Sequence, residues 1–379
     1  MRRIAALILH SPCGETPAEQ LVGAARRAFA LDLVGVLRDA EMSEILISPA
    51  DESFGSELQA RGLTALPSGA DEFHFGEVVR RVVRERRLDG LLYFGSGCGG
   101  LLSGRQVRQL IAFASRAEPA ALLNNFYSCD FAAISRAEAL LDVELPPIDN
   151  PLGLVLADHG IPCHSLPRDA ASQFDIDTPT DVLLLAHSGR GGDAIRALVA
   201  ERRLSHPDAD RLCALLSDRT SWVYLLGRVS PQTWRTFEQA VACRTGGVIE
   251  GRGMRAAPAD REPLLCQALR DGDVEVFFER LSRAADGAII DTRPFLARHG
   301  ELPPAAVRFA SDLLRPEEVE DPLWAAFTRC ARDAAIPVLL GGHSLVSGGL
   351  LLLSETCWKG RDLARRLHPE TIEWQKESR

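Results

Sequence analysis

The 379-residue chain carries 43 Lys and Arg against 52 Asp and Glu, a formal net charge of −9, with 46% hydrophobic and 25% charged residues. This is the profile of a globular protein long enough for two domains, and not of a disordered one. The negative balance argues against general nucleic-acid binding, whereas a small anion held by a local nest or arginine cluster stays compatible with it. The nine cysteines, among them Cys13, Cys98, Cys129 and Cys163, are scattered and show no CxxC spacing. Reduced thiols in a cytoplasmic protein are the economical expectation. The opening MRRIAALILHSPCGE reads as a first strand and not as a secretory signal, and no run approaches the roughly 20 apolar residues of a membrane span.

In chain order, Ile4–Leu9 reads as a buried strand, and Thr16-Pro17-Ala18-Glu19 is a capping box with proline at the first helical position. The helix it opens runs to about residue 39 and is followed by a short strand at 44–47 and Ser48-Pro49-Ala50-Asp51. Residues 75–87 show apolar helical periodicity with arginines outside, and feed a strand at 88–94 that ends in the glycine-rich loop GSGCGG at 95–100. A helix at 105–116 leads to the strand Ala120–Leu123, the polar cluster Asn124 to Asp130, and a strand-like stretch at 131–134. A short helix at Leu152–Asp158 and an edge strand at 162–166 complete the alternation. The order predicts an α/β fold with a mainly parallel sheet covered on both faces, and ligands at the carboxyl ends of its strands.

The most informative stretch is FDIDTPTDV at 174–182. Thr178 is a natural N-cap, Pro179 fits the first helical position, and Asp181 stands where a capping-box carboxylate reaches back. Asp175 and Asp177 alternate on a short extended segment, so their carboxylates point to one side of the backbone. Two such acids can share a divalent cation, or they can simply favour the positive end of the helix.

The stretch is similar to the closing D-x-D-T-P-E-D motif of nucleotidyltransferases with a glycosyltransferase-A-type fold, the group that includes molybdenum cofactor guanylyltransferases and phospholactate guanylyltransferases. The match covers Asp175, Asp177, Thr178, Pro179 and Asp181, with Thr180 in place of the usual glutamate, and the order of elements over about residues 1–187 agrees. The resemblance implies a three-layer, Rossmann-like sheet with Asp175 and Asp177 as catalytic acids that hold magnesium beside a nucleotide. It also implies two departures. The segment after the first strand, His10 to Glu15, has one glycine and no basic residue, and Gly95-Ser96 stands where the family commonly has Gly-Asp. Two compensations are open. The loop with Gly95, Ser96, Gly97 and Gly99 can turn its amides inward as an anion nest or serve as a tight connection. Asp130 can supply the missing metal ligand. Asn124 and Asn125 offer donors and acceptors for a base or sugar edge, or end a strand in a turn.

Beyond Ser188 the polar, glycine-rich stretch to Asp193 marks a boundary between domains at 1–188 and 189–379. The second part again alternates: helices at 194–203 and 208–216, a strand at 222–226 ending in Gly227-Arg228-Val229-Ser230-Pro231, and strands at 288–290 and 336–340. The loop at 341–349 reads as a sharp turn between two strands, the second being the apolar run 350–353, and a helix is expected at 359–367. This is the pattern of a smaller α/β domain, in which Arg228, Arg252, Arg293 and His343 are candidates for a phosphate or carboxylate site. The functional expectation is a magnesium-dependent transfer of a nucleoside monophosphate from a triphosphate to a small phosphorylated or sugar-like acceptor. The alternatives are a catalytically degenerate nucleotide- or sugar-binding protein of the same fold, and a sugar-nucleotide-dependent glycosyltransferase. A nucleotide and a small acceptor are the partners expected, without nucleic acid or membrane and with a homo-oligomer left open.

Overall fold

The computed structural model describes residues 2–67, 73–251, 263–267, 269, 274–296 and 302–362. Its first sheet contains β1 (Ile4–Leu9), β2 (Glu44–Ser48), β3 (Thr64–Ala65), β4 (Gly90–Gly95), β5 (Ala120–Leu123), β6 (Phe131–Ser135) and β7 (Cys163–Ser165). They lie in the order β3-β2-β1-β4-β6-β5-β7. β6 runs antiparallel to both neighbours, and the other pairings are parallel. This is a mainly parallel, Rossmann-like α/β sheet. The expected edge strand is β7.

The helices of this half are α1 (Pro17–Asp39), α2 (Glu52–Ala60), α3 (Phe75–Arg86), α4 (Gly104–Ala114), α5 (Leu152–Asp158), α6 (Ala170–Gln173) and α7 (Pro179–Ser188). Strand alternation sorts them onto two faces. Ala5, Leu7, Leu91 and Tyr93 pack with α3 and α5 residues such as Val79, Val83 and Leu156. Ala6, Ile8, Leu92 and Phe94 pack on the other face with Phe29 and Leu33 of α1 and Leu110 of α4.

After α7 the chain forms α8 (Asp193–Arg202), α9 (Ala209–Leu216), β8 (Trp222–Gly227), α10 (Pro231–Ala240), β9 (Arg244–Ile249), β10 (Gly287–Asp291) and β11 (Val338–Gly341), interspersed with further helices. The four strands make a second, all-parallel sheet in the order β11-β10-β8-β9. One face of it, Val223, Leu225, Ile289 and Leu339, joins the same apolar cluster that lies behind the first sheet. The other face, Leu226, Ile290 and Leu340, packs under Phe278, Trp324 and Phe327. The two sheets are therefore connected through a shared apolar layer.

Helix α7 ends at the polar stretch 189–193, where Gly189 adopts φ 64° at the helix C-terminus. Across it, Asp32 reaches out from the middle of α1 and accepts hydrogen bonds from the amides of Gly192 (2.9 Å), Ala194 (2.8 Å) and Ile195 (3.1 Å), capping α8. One expectation is corrected here. The stretch after β11 is not a turn between strands, because residues Leu345–Gly349 form a π-helical turn and Leu350–Thr356 an α-helix. A run of four apolar residues does not distinguish a strand from a buried helix. The helix expected at 359–367 lies, from residue 363 onward, outside the described residues.

Candidate functional site

The acid segment is built as its local chemistry demands. Thr178 caps α7 in a capping box: Asp181 Oδ2 accepts from the Thr178 amide at 2.7 Å, the Thr178 hydroxyl at 2.9 Å and the Asp177 amide at 3.1 Å. This reaching-back fixes the extended stretch before the helix. An isolated antiparallel bridge pairs Asp175 with Cys98, and the Ile176 amide donates to the Gly97 carbonyl at 2.9 Å. Asp175 and Asp177 consequently turn to one side, with the Asp175 carboxyl in hydrogen-bonding reach of Asp177. Asp177 is the open member, its side chain 44% exposed. Burial holds the Asp175 carboxyl well above the usual carboxylate range, with Asp177 and Asp130 adding to the push and Arg26 opposing it.

Asp130, at the entry to β6, completes the crowding. Burial pushes its carboxyl up to about 7, against the hydrogen bond from Asn124, with Asp149 and Asp177 contributing. Asn124 is almost fully buried. Its Nδ2 donates to Asp130 Oδ2 at 2.8 Å, and its Oδ1 accepts from the amides of Asp130 (2.9 Å) and Phe131 (3.2 Å). Asn124 therefore orients an acid, and its amide group is not turned to a base or sugar. Asn125 is half-buried, and its Oδ1 accepts from the Tyr127 amide at 3.2 Å. Asp149, which interacts with Asp130 and Asp177, accepts a hydrogen bond from the buried Tyr93 hydroxyl, and its carboxyl is also raised by burial.

The glycine loop adjoins the acids, but it is closely packed. The amides of Gly95, Ser96 and Cys98 donate to the carbonyls of Asp130 (2.9 Å), Leu9 (3.0 Å) and Gly95 (3.3 Å). A Cβ at Gly97 would collide with the Asp175 carboxylate, and one at Gly99, where φ is 78°, would lie 2.9 Å from the Phe94 ring. Ser96 is 4% exposed. The loop's glycines thus let the acid segment approach, and three of its amides are turned away from any ligand. Thr178 is likewise 1% exposed and serves the cap.

The cation facing the acids comes from an unexpected place. Arg26, in the middle of α1, donates through Nε to the Ile176 carbonyl at 2.7 Å and lies 3.4 Å from Asp177 Oδ1. Its neighbour Arg27 pairs with Asp51 and lies 5.3 Å from the Phe54 ring centroid. His10, at the end of β1, is 5% exposed, with its ring 4.9 Å from that of Phe54. Burial, helped by Arg27 and Arg26, pushes it down to about 4 and keeps it neutral. The basic groups absent from the loop after β1 therefore stand on the helix behind it. Sequence reasoning missed them, although adjacent arginines within the alanine-rich turn of a helix at a strand's carboxyl end are a usable signal.

Two of the four residues expected at an anion site in the second half are paired with carboxylates. Arg228 forms a bidentate pair with the buried Asp291 through Nε (2.5 Å) and Nη2 (3.0 Å). Arg293 forms one with the buried Asp312 at 2.8 and 2.9 Å. Both guanidinium groups are thus neutralised by carboxylates, and Asp291 is held below its usual range despite burial by Arg228 and Arg293, with His343 contributing. Arg252 lies outside the described residues.

Among the described residues no group of three or more His, Cys, Asp and Glu side chains is disposed to hold a metal ion by itself. Asp130, Asp175 and Asp177 interact electrostatically, but do not make a preformed three-acid ligand set. The donor chemistry of the Asp175–Asp177 pair nevertheless fits magnesium, which is commonly bound by one or two carboxylates with substrate phosphates and water supplying the rest. No helix among the described residues is long and apolar enough to cross a membrane.

No family model matches the chain, and no curated protein matches it in sequence. Among solved structures, a nucleotidyl transferase from Methanothermobacter thermautotroptrophicus is similar over 48% of this chain and 94% of its own, at 16% identity and a TM-score of 0.38. A cytidylyltransferase from Leptospira borgpetersenii covers 54% of this chain and 96% of its own, at 11% identity and a TM-score of 0.38. A CMP:2-keto-3-deoxy-manno-octonic acid synthetase complexed with CTP covers 53% and 99%, at 15% identity and a TM-score of 0.35. Similarity at this level assigns neither a substrate nor an activity.

Proposed function

We propose that the chain is a nucleotidyltransferase whose acid segment, Asp175 and Asp177, holds the magnesium complex of a nucleoside triphosphate. The observation that carries this reading is the convergence of that segment with Asp130 and Arg26 at the carboxyl ends of β1 and β4, where an α/β sheet offers its ligand crevice. Magnesium, when bound, supplies charge neutralisation for the phosphates. Arg26 donates to the Ile176 carbonyl and lies beside the part-exposed Asp177, which supports a role for its guanidinium in meeting a phosphate oxygen. Asp130, with its carboxyl near 7 and its orientation fixed by Asn124, is the base for an acceptor hydroxyl. In that step the acceptor oxygen bonds to the α-phosphorus, the bond to pyrophosphate breaks, and the hydroxyl proton passes to Asp130. The acceptor is a small phosphorylated or sugar-like molecule.

A second reading, a binding protein that has lost its chemistry, is favoured by the occupied amides of the glycine loop and the missing basic loop after β1. Pyrophosphate release from a panel of triphosphates with sugar and phosphosugar acceptors decides between them. Release that disappears in Asp177→Asn supports the transferase. Thermal stabilisation by a nucleotide without release supports the binding protein.

A further inference from the structure

The acid segment is held from two sides, and the second side belongs to the other sheet. The Ser344 hydroxyl donates to the Asp175 carbonyl. A Cβ at Gly348 would collide with the Gln173 carbonyl and the Phe174 Cα, so the two backbones touch there. A Cβ at Gly342 would lie 3.0 Å from Thr178 Cγ2, and the Thr180 hydroxyl donates to the Leu340 carbonyl at 2.6 Å. Four contacts thus run along residues 173–180 from the end of β11 and the stretch after it. That stretch is itself fixed: Ser344 is 2% exposed, and its carbonyl accepts from the amides of Gly349 (2.8 Å) and Ser347 (3.1 Å). Extended segments that hold functional acids need this kind of external fixing, because their own backbone groups have no ladder partner on that side.

We propose that the stretch after β11 is a positioning element for the acid pair. Ser344 sets the Asp175 backbone and the bare Gly348 lets the two chains meet, so that the site is assembled from both halves of the chain. The inference rests on the reading of Asp175 and Asp177 as the nucleotide–metal acids. The groups facing Asp175 are Asp177 on its own segment, Asp130 at the start of β6, Arg26 on α1 and Cys98 on the glycine loop. Replacing Ser344 changes none of these charges, so its effect is on position.

The test uses the full chain with manganese alone as a spectroscopic substitute for magnesium. Ser344→Ala is expected to weaken manganese binding about tenfold, the scale of losing an outer-shell partner. Hydrogen exchange should quicken at the Ile176 and Asp177 amides and stay unchanged in β1 and β4, and Ser344→Thr should restore both readouts. Gly348→Ala, which displaces Gln173 without touching the hydroxyl, should produce the same pair of changes. Unchanged metal affinity together with unchanged exchange at Ile176 in Ser344→Ala would overturn the inference. If the native chain binds neither manganese nor a nucleotide, the transferase reading falls, and the exchange measurement alone then decides whether Ser344 positions the segment.

Discussion

Replacing Asp130 by Asn should make the protein more stable at neutral pH while impairing its chemistry. The Asp130 carboxyl is pushed from its ordinary 3.8 up to about 7, chiefly by burial. The folded state therefore retains a proton that the unfolded chain has released between those values, and stability is lost as pH rises through that window. Three units at about 1.4 kcal/mol each set a ceiling of about 4 kcal/mol on the cost of the charge above pH 7. Because Asp149 and Asp177 contribute to the same push and can relax, a gain of about 2–4 kcal/mol is expected for Asp130→Asn at pH 8. Near pH 4, where the native carboxyl is already neutral, the gain should vanish. Urea unfolding of both proteins at half-unit steps from pH 4 to 8 gives the difference directly. A difference curve that stays flat over this range would refute the reasoning, because the carboxyl would then have no perturbed environment to escape.

His10 gives the opposite slope. Its imidazole is held down at about 4, so the unfolded chain binds a proton below its ordinary 6.5 that the folded chain refuses. Stability should fall as pH drops from 6.5 toward 4, and His10→Phe should remove that slope when measured by the same unfolding series. Asp312→Asn leaves the buried Arg293 without its carboxylate and should cost about 3–5 kcal/mol, visible as a lowered urea midpoint. Asp177→Asn, at a half-exposed position, should not lower that midpoint, because it relieves the repulsion on Asp130 and Asp175, while magnesium-dependent nucleotide binding, followed by calorimetry, falls about tenfold or more. Arg26→Gln should weaken binding of the triphosphate more than that of the nucleoside, measured in the same calorimeter, if the guanidinium meets a phosphate.

The elements of the first half were legible because their signals are local. The capping box at Thr16, the proline at 179 and the apolar periodicity of 75–86 each determine a short stretch by itself, and all three form as expected. The alternation of the acid pair on an extended segment predicts that the carboxylates point to one side, and the Asp175 carboxyl lies in hydrogen-bonding reach of Asp177. What could not be read is the partner of each polar group. Arg228 and Arg293 look like anion ligands among glycines until Asp291 and Asp312, distant by 63 and 19 positions, neutralise them. Asn124 has the donors and acceptors for a nucleobase, yet those groups are consumed by a carboxylate and two amides six and seven residues on. Arg26 shows the reverse case, a helix residue that matters because a segment 150 positions later folds back beside it. The helix at 350–356 is not legible in the sequence because residues 350–354 are all buried, which removes the periodicity on which the distinction depends.

The carboxylate that leaves the middle of α1 to cap α8 has a consequence for how the chain comes apart. Asp32 is part of the longest helix of the first half, and the three amides it satisfies belong to the opening turn of the second. A cut in the glycine-rich connection at 189–192 would sever the covalent link, yet the two fragments would still share a buried acid and the apolar layer behind it. They should elute together and melt in one transition, and a gene split at this point should yield a protein that reassembles from its pieces.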